Sequence, residues 1–352
     1  MTKNRTEPMI CIRPSFPLRM TDAEGTMRYA KMVEDMGFDA FFLGDRMLAQ
    51  AALDDGQVVY AATSVEPTTM MAAIAGRTSR IQIGVLVYIV PFRRPLQIAK
   101  TFASLDFISN GRIIMGAGLG WNPKEFASLG LSMADRGSQF EEAIPLIRQL
   151  WRGDTVTFHG RWSDLEGVRI APISPRPAGP PIWMGTFAPT QTLDFSTWTT
   201  PVRNVLERVG RLADAWAPLT YTAASMRRIS AAHLGEAWDM IMDSAVKAGR
   251  ASDSIDLVHA DWIYILDGPN AEQRGFEAVS KFFTGSWQDA KNTYVIGTPD
   301  EVVDKLLTLT SRIKRKTDAY MLTPISSEQS QLDLIRDRIA PKLREANRKY
   351  RK

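Results

Sequence analysis

Apolar runs of strand length alternate with amphipathic segments of helix length along most of the 352-residue chain. Eight of these runs have the length and β-branched content of buried strands, beginning near residues 9, 38, 81, 112, 182, 213, 255 and 318. Helix signals follow them, such as the prolines at Pro67 and Pro95 that open two amphipathic segments. Repeated βα units predict an α/β fold with a parallel sheet, and eight of them favour a closed (β/α)8 barrel over an open sheet.

Three segments interrupt this alternation, and we interpret them as insertions after strands 4, 5 and 7. Residues Thr155 to Ile170 have the pattern of a β-hairpin, and residues 270–290 indicate one further helix with a loop. Residues 187–203 are rich in threonine and aromatic side chains and predict either a lid or a surface excursion. A long helix is predicted from Met226 to Ala248. Because no long linker separates the units, we expect a single domain over residues 1–352.

The ends of two predicted strands carry glycines where a barrel would place its chemistry. The fourth strand runs into Gly116 to Trp121, and the fifth ends at Gly185 and Thr186. Glycine lets the backbone approach a ligand and point its N–H groups at an anion. The first turn fails the dinucleotide fingerprint GxGxxG because Trp121 replaces its last glycine. Each segment is otherwise an ordinary strand exit, but two such exits side by side would favour a phosphate site.

Charged residues follow the second and third predicted strands. Asp45 and Arg46 are either a surface ion pair or a polar pair at the mouth of a site. Arginine donates hydrogen bonds but stays protonated near neutral pH, so Arg46 would bind an anion or a ring oxygen. We expect Arg93 and Arg94 to be solvated loop charges. His259, inside a strand, is more typical of a structural histidine than of a base.

Composition narrows the classes of partner. The chain has 43 Lys and Arg against 39 Asp and Glu, and this small excess predicts neither a nucleic-acid nor a membrane partner. The only cysteine is Cys11, and the three histidines lack the spacing of a metal motif, so no metal site is predicted. The polar first residues lack the apolar core of a signal peptide, and no apolar run is long enough to span a bilayer. We therefore expect a cytoplasmic protein.

Several segments are spaced, in order, along most of residues 9–345: Gly37 to Asp45, Thr78 to Val85, Pro95 to Arg112, Gly116 to Trp121 with Glu125, Leu150 to Gly153, Pro180 to Thr186, Arg211 to Trp216 and Gly297 to Val302. This ordered set resembles the bacterial luciferase-like monooxygenase superfamily. The resemblance implies a (β/α)8 TIM barrel that binds reduced FMN, or the deazaflavin coenzyme, at its C-terminal face.

The resemblance also implies which residues would touch the cofactor. Its phosphate would lie near two backbone segments: Ala117, Gly118, Leu119 and Gly120, and Gly185 with Thr186. A non-proline cis peptide at the end of the third strand, which we place at Val85–Leu86, would form a bulge behind the flavin ring. Four aromatic side chains are candidates for the apolar wall: Phe16, Phe41, Trp121 and Trp183.

One departure concerns the reaction itself. Relatives commonly have histidine after the acidic residue of the second strand, and here that residue is Arg46, which puts proton transfer at this position in doubt. Asp45 and Arg46 are the candidate catalytic pair, with Arg46 binding the ring or a substrate anion.

Three functions stay open. The first is a monooxygenase that takes reduced FMN from a separate flavin reductase and oxygenates a small organic substrate. The second is a deazaflavin-dependent hydride-transfer enzyme. The third is a flavin-binding barrel without catalysis, which is suggested by Arg46 in place of the family histidine. A homodimer is expected from the resemblance, whereas the identity of the substrate is not visible in the sequence.

Overall fold

The computed structural model describes residues 6–14, 22–48, 50–52, 58–61, 65–186, 200–222, 227–251 and 253–350. The strands are β1 (Met9–Ile12), β2 (Ala40–Leu43), β3 (Gln50–Ala52), β4 (Val58–Ala61), β5 (Gln82–Ile89), β6 (Ile113–Gly118), β7 (Val156–His159), β8 (Asp164–Val168), β9 (Ile182–Met184), β10 (Ala215–Trp216), β11 (Tyr221–Thr222), β12 (Arg227–Arg228), β13 (Asp256–Ile265), β14 (Val295–Gly297) and β15 (Ala319–Pro324). The helices are α1 (Ala23–Asp35), α2 (Pro67–Arg77), α3 (Pro95–Ile108), α4 (Pro123–Ser128), α5 (Arg136–Trp151), α6 (Thr200–Leu212), α7 (Ala231–Lys247), α8 (Ala271–Val279), α9 (Trp287–Thr293), α10 (Pro299–Leu309), α11 (Gln329–Leu334) and α12 (Ala340–Arg348).

The chain divides into two compact units. One, here called the 41–185 unit, consists of residues 19–35 and 41–185. The other, the 186–352 unit, also includes residues 1–18 and 36–40. Among the described residues, no helix has the length and apolar character that crossing a membrane requires.

Parallel strands form the core of the 41–185 unit. β5 pairs with β6 through Ile83 and Ile113, and β6 pairs in turn with β9 through Met115 and Ile182. These strands are apolar on both faces, as expected where helices cover a parallel sheet. α2 and α3 begin with the prolines that the sequence marks, and the Glu66 carboxylate caps α2 by accepting from the N–H of Thr69.

The 186–352 unit has its own parallel strands. β15 lies between β1 and β13, and β13 also pairs with β14 and with β10. α10 starts with a capping box, in which the Thr298 and Glu301 side chains each accept from the other residue's N–H. The buried strands and capped helices of both units confirm the α/β class expected from the sequence.

Four local features of the structure differ from the sequence-based predictions or add to them. The helix predicted from Met226 begins at Ala231, because Ser230 caps it and the residues before it pair with β11. Residues 270–290 hold most of two helices, since Ser286 and Asp289 form a capping box that starts α9. α6 begins inside the segment 187–203, and its first part, 187–199, lies outside the described residues, so the lid stays a prediction. The short strand β14 was not predicted.

Candidate functional site

The end of β5 carries a bulge. β5 pairs with β6 up to Val85 and again from Tyr88, with the register interrupted between them. The peptide bond between Leu86 and Val87 is cis and precedes no proline. Our placement of this bond at Val85–Leu86 is therefore wrong by one residue, because Val85 still belongs to the regular ladder opposite Met115.

Three glycines at the strand ends make room for this bulge. A Cβ on Gly116 would lie 2.1 Å from the Val85 carbonyl oxygen. A Cβ on Gly118 would lie 2.4 Å from Val87 Cγ2, and one on Gly185 would lie 2.3 Å from Val87 Cγ1. Such approaches are too close for any pair of non-bonded heavy atoms. Glycine is thus required at these positions by packing against the bulge, which the sequence alone did not show, in addition to any role in binding an anion.

The two glycine-bearing strand exits are neighbours, as a phosphate site would require. Ala117 on β6 pairs with Met184 on β9, and the Gly185 N–H donates to the Ala117 carbonyl at 3.3 Å. That N–H is therefore already used by the protein. Ala117 and Gly118 are buried strand residues, whereas Leu119 and Gly120 lie beyond the strand and are partly exposed.

Two of the predicted phosphate-binding residues keep their hydrogen-bonding groups available. Within the part of the chain that the structure describes, neither Gly120 nor Thr186 makes a hydrogen bond to the protein. Thr186 directly follows Gly185 in the chain and is partly exposed. The backbone amides that can hold an anion are thus the ones past the strand ends rather than those within the strands.

Asp45 is buried and bound on both carboxylate oxygens. Oδ2 accepts from the Ile89 N–H at 2.9 Å and from the Arg93 guanidinium, and Oδ1 accepts from Arg93 at 3.1 Å. The Arg93 guanidinium also lies 4.0 Å from the centre of the Tyr88 ring. Burial alone would lower the pKa of Arg93, but its hydrogen bond to Asp45 and the Asp45 charge raise it.

This ion pair corrects two expectations. The Arg93 side chain is only 13% exposed, so it is not a solvated loop charge. Asp45 is not part of a surface ion pair either, because its side chain is fully buried. Its carboxylate joins the end of β2 to the end of β5, which fixes the backbone beside the bulge.

The loop that carries Arg46 is held from its other side by Glu125. This side chain lies on α4 and is buried, and its Oε1 accepts from the N–H groups of Met47 at 2.8 Å and Leu48 at 3.2 Å. The Arg46 guanidinium carbon lies 5.8 Å from the centre of the Trp121 ring. Glu125 entered the sequence analysis only as part of a family motif. An acidic residue in the first turn of a short helix, which Asn122 and Pro123 open directly after the glycine-rich turn, was the sequence signal that could have identified it.

The aromatic candidates for an apolar wall separate into two groups. Phe41 and Trp183 are fully buried, and Trp183 stacks on Phe42 with ring centres 5.1 Å apart, so both belong to the core. Trp121 is 46% exposed and remains a candidate. Phe16 lies outside the described residues.

A second polar cluster lies in the 186–352 unit. The buried Asp261 carboxylate binds Arg228, accepts from the Thr220 hydroxyl at 3.1 Å and lies 3.1 Å from His259 Nε2. Burial would raise the pKa of Asp261, but the Arg228 charge and the His259 hydrogen bond hold it below its usual value. This packing fits the structural role expected for His259. Among the described residues, no three His, Cys, Asp or Glu side chains are grouped to hold a metal ion.

A family model supplies the decisive comparison, since the model described as luciferase-like monooxygenase matches residues 13–313. The chain belongs to this family. A luciferase-like protein of this kind is an enzyme, an oxidoreductase that works with a flavin or deazaflavin cofactor. The alternative of a non-catalytic flavin-binding barrel is therefore set aside.

Curated relatives of this luciferase-like chain include users of both cofactors. The "F420-dependent glucose-6-phosphate dehydrogenase" of Amycolatopsis mediterranei is 34% identical over 41% of this chain and 42% of its own length. The "4-hydroxyprotoasukamycin monooxygenase" of Streptomyces nodosus subsp. asukaensis is 25% identical over 83% of this chain and 74% of its own. The chain thus spans less than half the length of the first of these relatives. Because one relative is named for F420 and the other is a monooxygenase, the comparison does not decide which cofactor this chain uses.

A solved structure shows the fold of the luciferase-like chain. An F420-dependent secondary alcohol dehydrogenase, in complex with an F420-acetone adduct, superposes with a TM-score of 0.72 at 18% identity. The superposition covers 96% of this chain and 99% of the other. The expected fold, an α/β barrel of eight parallel strands, is confirmed.

Proposed function

We propose that this luciferase-like chain is a monooxygenase that uses reduced FMN and dioxygen to oxygenate a small organic substrate. A separate flavin reductase would supply the reduced FMN, and the active form would be a homodimer. The observation that supports the proposal best is the interruption of the β5–β6 register between Val85 and Tyr88, where Val87 packs on Gly118 of β6 and on Gly185 just after β9.

The residues around the bulge fit a flavin. Val87 is partly exposed, so the bulge offers an apolar surface for an aromatic ring. Beyond the neighbouring strand, Leu119 and Gly120 offer partly exposed backbone. These groups suit phosphate oxygens, which prefer backbone amides at strand and loop ends. When bound, reduced FMN would supply the electrons that activate dioxygen.

Asp45, Arg93 and Glu125 would not contact the substrate but would position the backbone around it. Asp45 and Arg93 fix the end of β5, and therefore the bulge, through the Ile89 N–H. Glu125 fixes the loop that carries Arg46. Because both carboxylates are tied to protein donors, neither is well placed to take a proton from a substrate.

The lack of a histidine in the segments next to Asp45 and Arg93 favours oxygenation over hydride transfer from an alcohol. An alcohol that loses a hydride must also release its hydroxyl proton to a base. Arg46 stays protonated, and the sequence between Gly44 and Glu66 and between Val90 and Arg94 contains no histidine. A reaction that inserts an oxygen atom from dioxygen does not begin with this deprotonation.

Deazaflavin-dependent hydride transfer is the second candidate, because the Amycolatopsis relative at 34% identity is named as F420-dependent. Anaerobic titration of the purified protein with reduced FMN and with the reduced deazaflavin coenzyme separates the two. We expect binding of reduced FMN and, with dioxygen and a panel of organic substrates, a product that carries ¹⁸O from ¹⁸O₂. Tight deazaflavin binding without FMN binding would contradict the proposal.

A further inference from the structure

We propose that Leu219 is a specificity-determining residue of this enzyme, whose side chain contacts a hydrocarbon or aromatic part of the substrate. The inference rests on the proposed function, because it assigns a substrate contact to that oxidoreductase. It starts from an exposed apolar side chain beyond the end of a buried strand. Leu219 follows β10 and is 41% exposed, whereas Ala215 and Trp216 within the strand are fully buried.

The strand register places Leu219 on the sheet face that lies away from helix α7. β10 pairs with β13 through Ala215, and Leu219, further along, pairs with Ala260 without a change of register. Side chains an even number of residues apart in a strand share a face, so Trp216 lies on the other one. Its ring is 6.1 Å from that of Trp238 on α7. Because helices surround a (β/α)8 barrel, the face that carries Leu219 is the interior face.

Leu219 is the exposed member of an apolar set on this face. Ala260 and Met321 pair across β13 and β15, and so do Trp262 and Thr323. These four side chains are at most 8% exposed, and none is charged. Substrates of (β/α)8 enzymes bind at the C-terminal ends of the strands, which is where Leu219 follows β10. A hydrocarbon or aromatic group would therefore meet an apolar surface at Leu219.

The backbone next to Leu219 is anchored on the opposite face of the sheet. The Thr220 hydroxyl donates to the Asp261 carboxylate at 3.1 Å, and the Thr220 carbonyl accepts from the Ile229 N–H at 2.9 Å. The Asp261 side chain is fully buried and also binds Arg228 of β12. A side chain beside such an anchored residue is preorganised, so less conformational freedom is lost when a ligand binds.

Thiol labelling tests the inference without a known substrate. Cys11, the only cysteine of the chain, is buried, so Leu219→Cys adds one accessible thiol to the full-length protein. Val246→Cys is the matched control, because Val246 is also apolar and is 57% exposed, but lies on α7. Each variant reacts with N-phenylmaleimide and with N-methylmaleimide, which differ in apolar surface. We expect the ratio of the two rates to be at least about tenfold higher at position 219, because an apolar site concentrates the phenyl reagent.

A competition measurement shows whether small organic molecules occupy the same place. Cyclohexanone should slow the labelling of Leu219→Cys and leave that of Val246→Cys unchanged. Tetrahydropyran-4-one has the same shape with a ring oxygen in place of a methylene, and it should protect less. Equal rate ratios at the two positions would overturn the inference, and so would a lack of protection by cyclohexanone or equal protection by the two ketones.

Titration with reduced FMN keeps the two proposals separate, because the labelling needs no cofactor. If position 219 shows the expected labelling and protection but the unmodified protein binds no reduced FMN, the contact at Leu219 stands and the monooxygenase proposal fails. If the protein binds reduced FMN and the rate ratios are equal, the monooxygenase proposal stands and Leu219 is an ordinary surface residue.

Discussion

The charges of Asp45 and Arg93 compensate each other in the protein interior, where their side chains have little contact with water. Both carboxylate oxygens receive hydrogen bonds, and the guanidinium also faces the Tyr88 ring. Removing one member of a buried pair leaves an uncompensated charge, which is far more costly than the net value of the pair itself.

Arg93→Met should therefore lower the free energy of unfolding by about 3–5 kcal/mol, because the Asp45 carboxylate stays buried without its cation. Urea denaturation monitored by circular dichroism measures the change. The double variant Asp45→Asn with Arg93→Met should recover part of the loss. Arg94→Gln, an exposed control, should stay within about 0.5 kcal/mol of the unmodified protein. Equal stability of Arg93→Met and Arg94→Gln would show that the pair contributes nothing.

Asp256 gives a second residue-level prediction, in the 186–352 unit. Burial, and then the charge of Asp318, raise the pKa of Asp256 to about 7. An unfolded aspartate titrates near pH 3.9 on average, so between about pH 4 and pH 7 only the folded protein holds this proton. Stability should therefore fall as the pH rises through this window.

Asp256→Asn should remove that component of the pH dependence. We expect the variant to gain stability over the unmodified protein when both are compared at pH 8, and to gain less at pH 4. Urea denaturation at both pH values measures the difference. A gain that is the same at both pH values would contradict the raised pKa.

At the scale of elements, the bulge of β5 packs as one unit with the glycines of β6 and with Gly185, which follows β9. Gly185→Ala would bring a Cβ to 2.3 Å from Val87 Cγ1, and the chain would have to shift. Overpacking of this kind costs about 1–3 kcal/mol. We expect this loss in urea denaturation, together with weaker binding of reduced FMN.

Two further variants isolate the contact. Gly76→Ala is the matched control, because among the described residues no atom outside its own helix backbone and chain neighbours lies within 4 Å of the added Cβ, and alanine favours the helix α2. Val87→Ala removes the Cγ1 atom. In the double variant with Gly185→Ala, it should therefore restore much of the free energy of unfolding that Gly185→Ala alone loses. Strictly additive effects of the two substitutions would exclude the contact as the cause.

The sequence predicted those elements whose signals are local. Prolines and capping residues such as Pro67, Pro95 and Thr298 mark helix starts within one turn, and the structure places them there. The strand β14 has only three residues, too few for a periodic pattern. The burial of Arg93 depends on Asp45, which lies 48 residues away, so nothing near Arg93 in the sequence reveals it.

The candidate site was predicted in outline and not in detail. The neighbouring exits of β6 and β9 follow from chain order in a parallel barrel, and the structure pairs them. The Leu86–Val87 position of the cis bond and the packing role of Gly116 depend on contacts between strands. Such contacts between strands cannot be predicted from a single sequence.

At the scale of the whole molecule, family membership fixes the class of enzyme and the fold, while the cofactor stays a proposal. A ligand that binds only the folded chain stabilises it by an amount set by its concentration relative to Kd. Reduced FMN at about 100 times its Kd should therefore raise the free energy of unfolding by about 2.7 kcal/mol. Anaerobic urea denaturation checks this value, and the same rise with the reduced deazaflavin coenzyme alone would reverse the assignment.

The hydrogen bonds of Glu125 to the backbone determine which substitutions the loop around Arg46 can tolerate. Its carboxylate holds backbone N–H groups of positions 47 and 48, which every amino acid except proline possesses. Substitution of the side chains at 46 and 47 therefore leaves the anchor intact. A mutant library confined to these two positions and excluding proline should alter substrate preference while nearly all its members still fold.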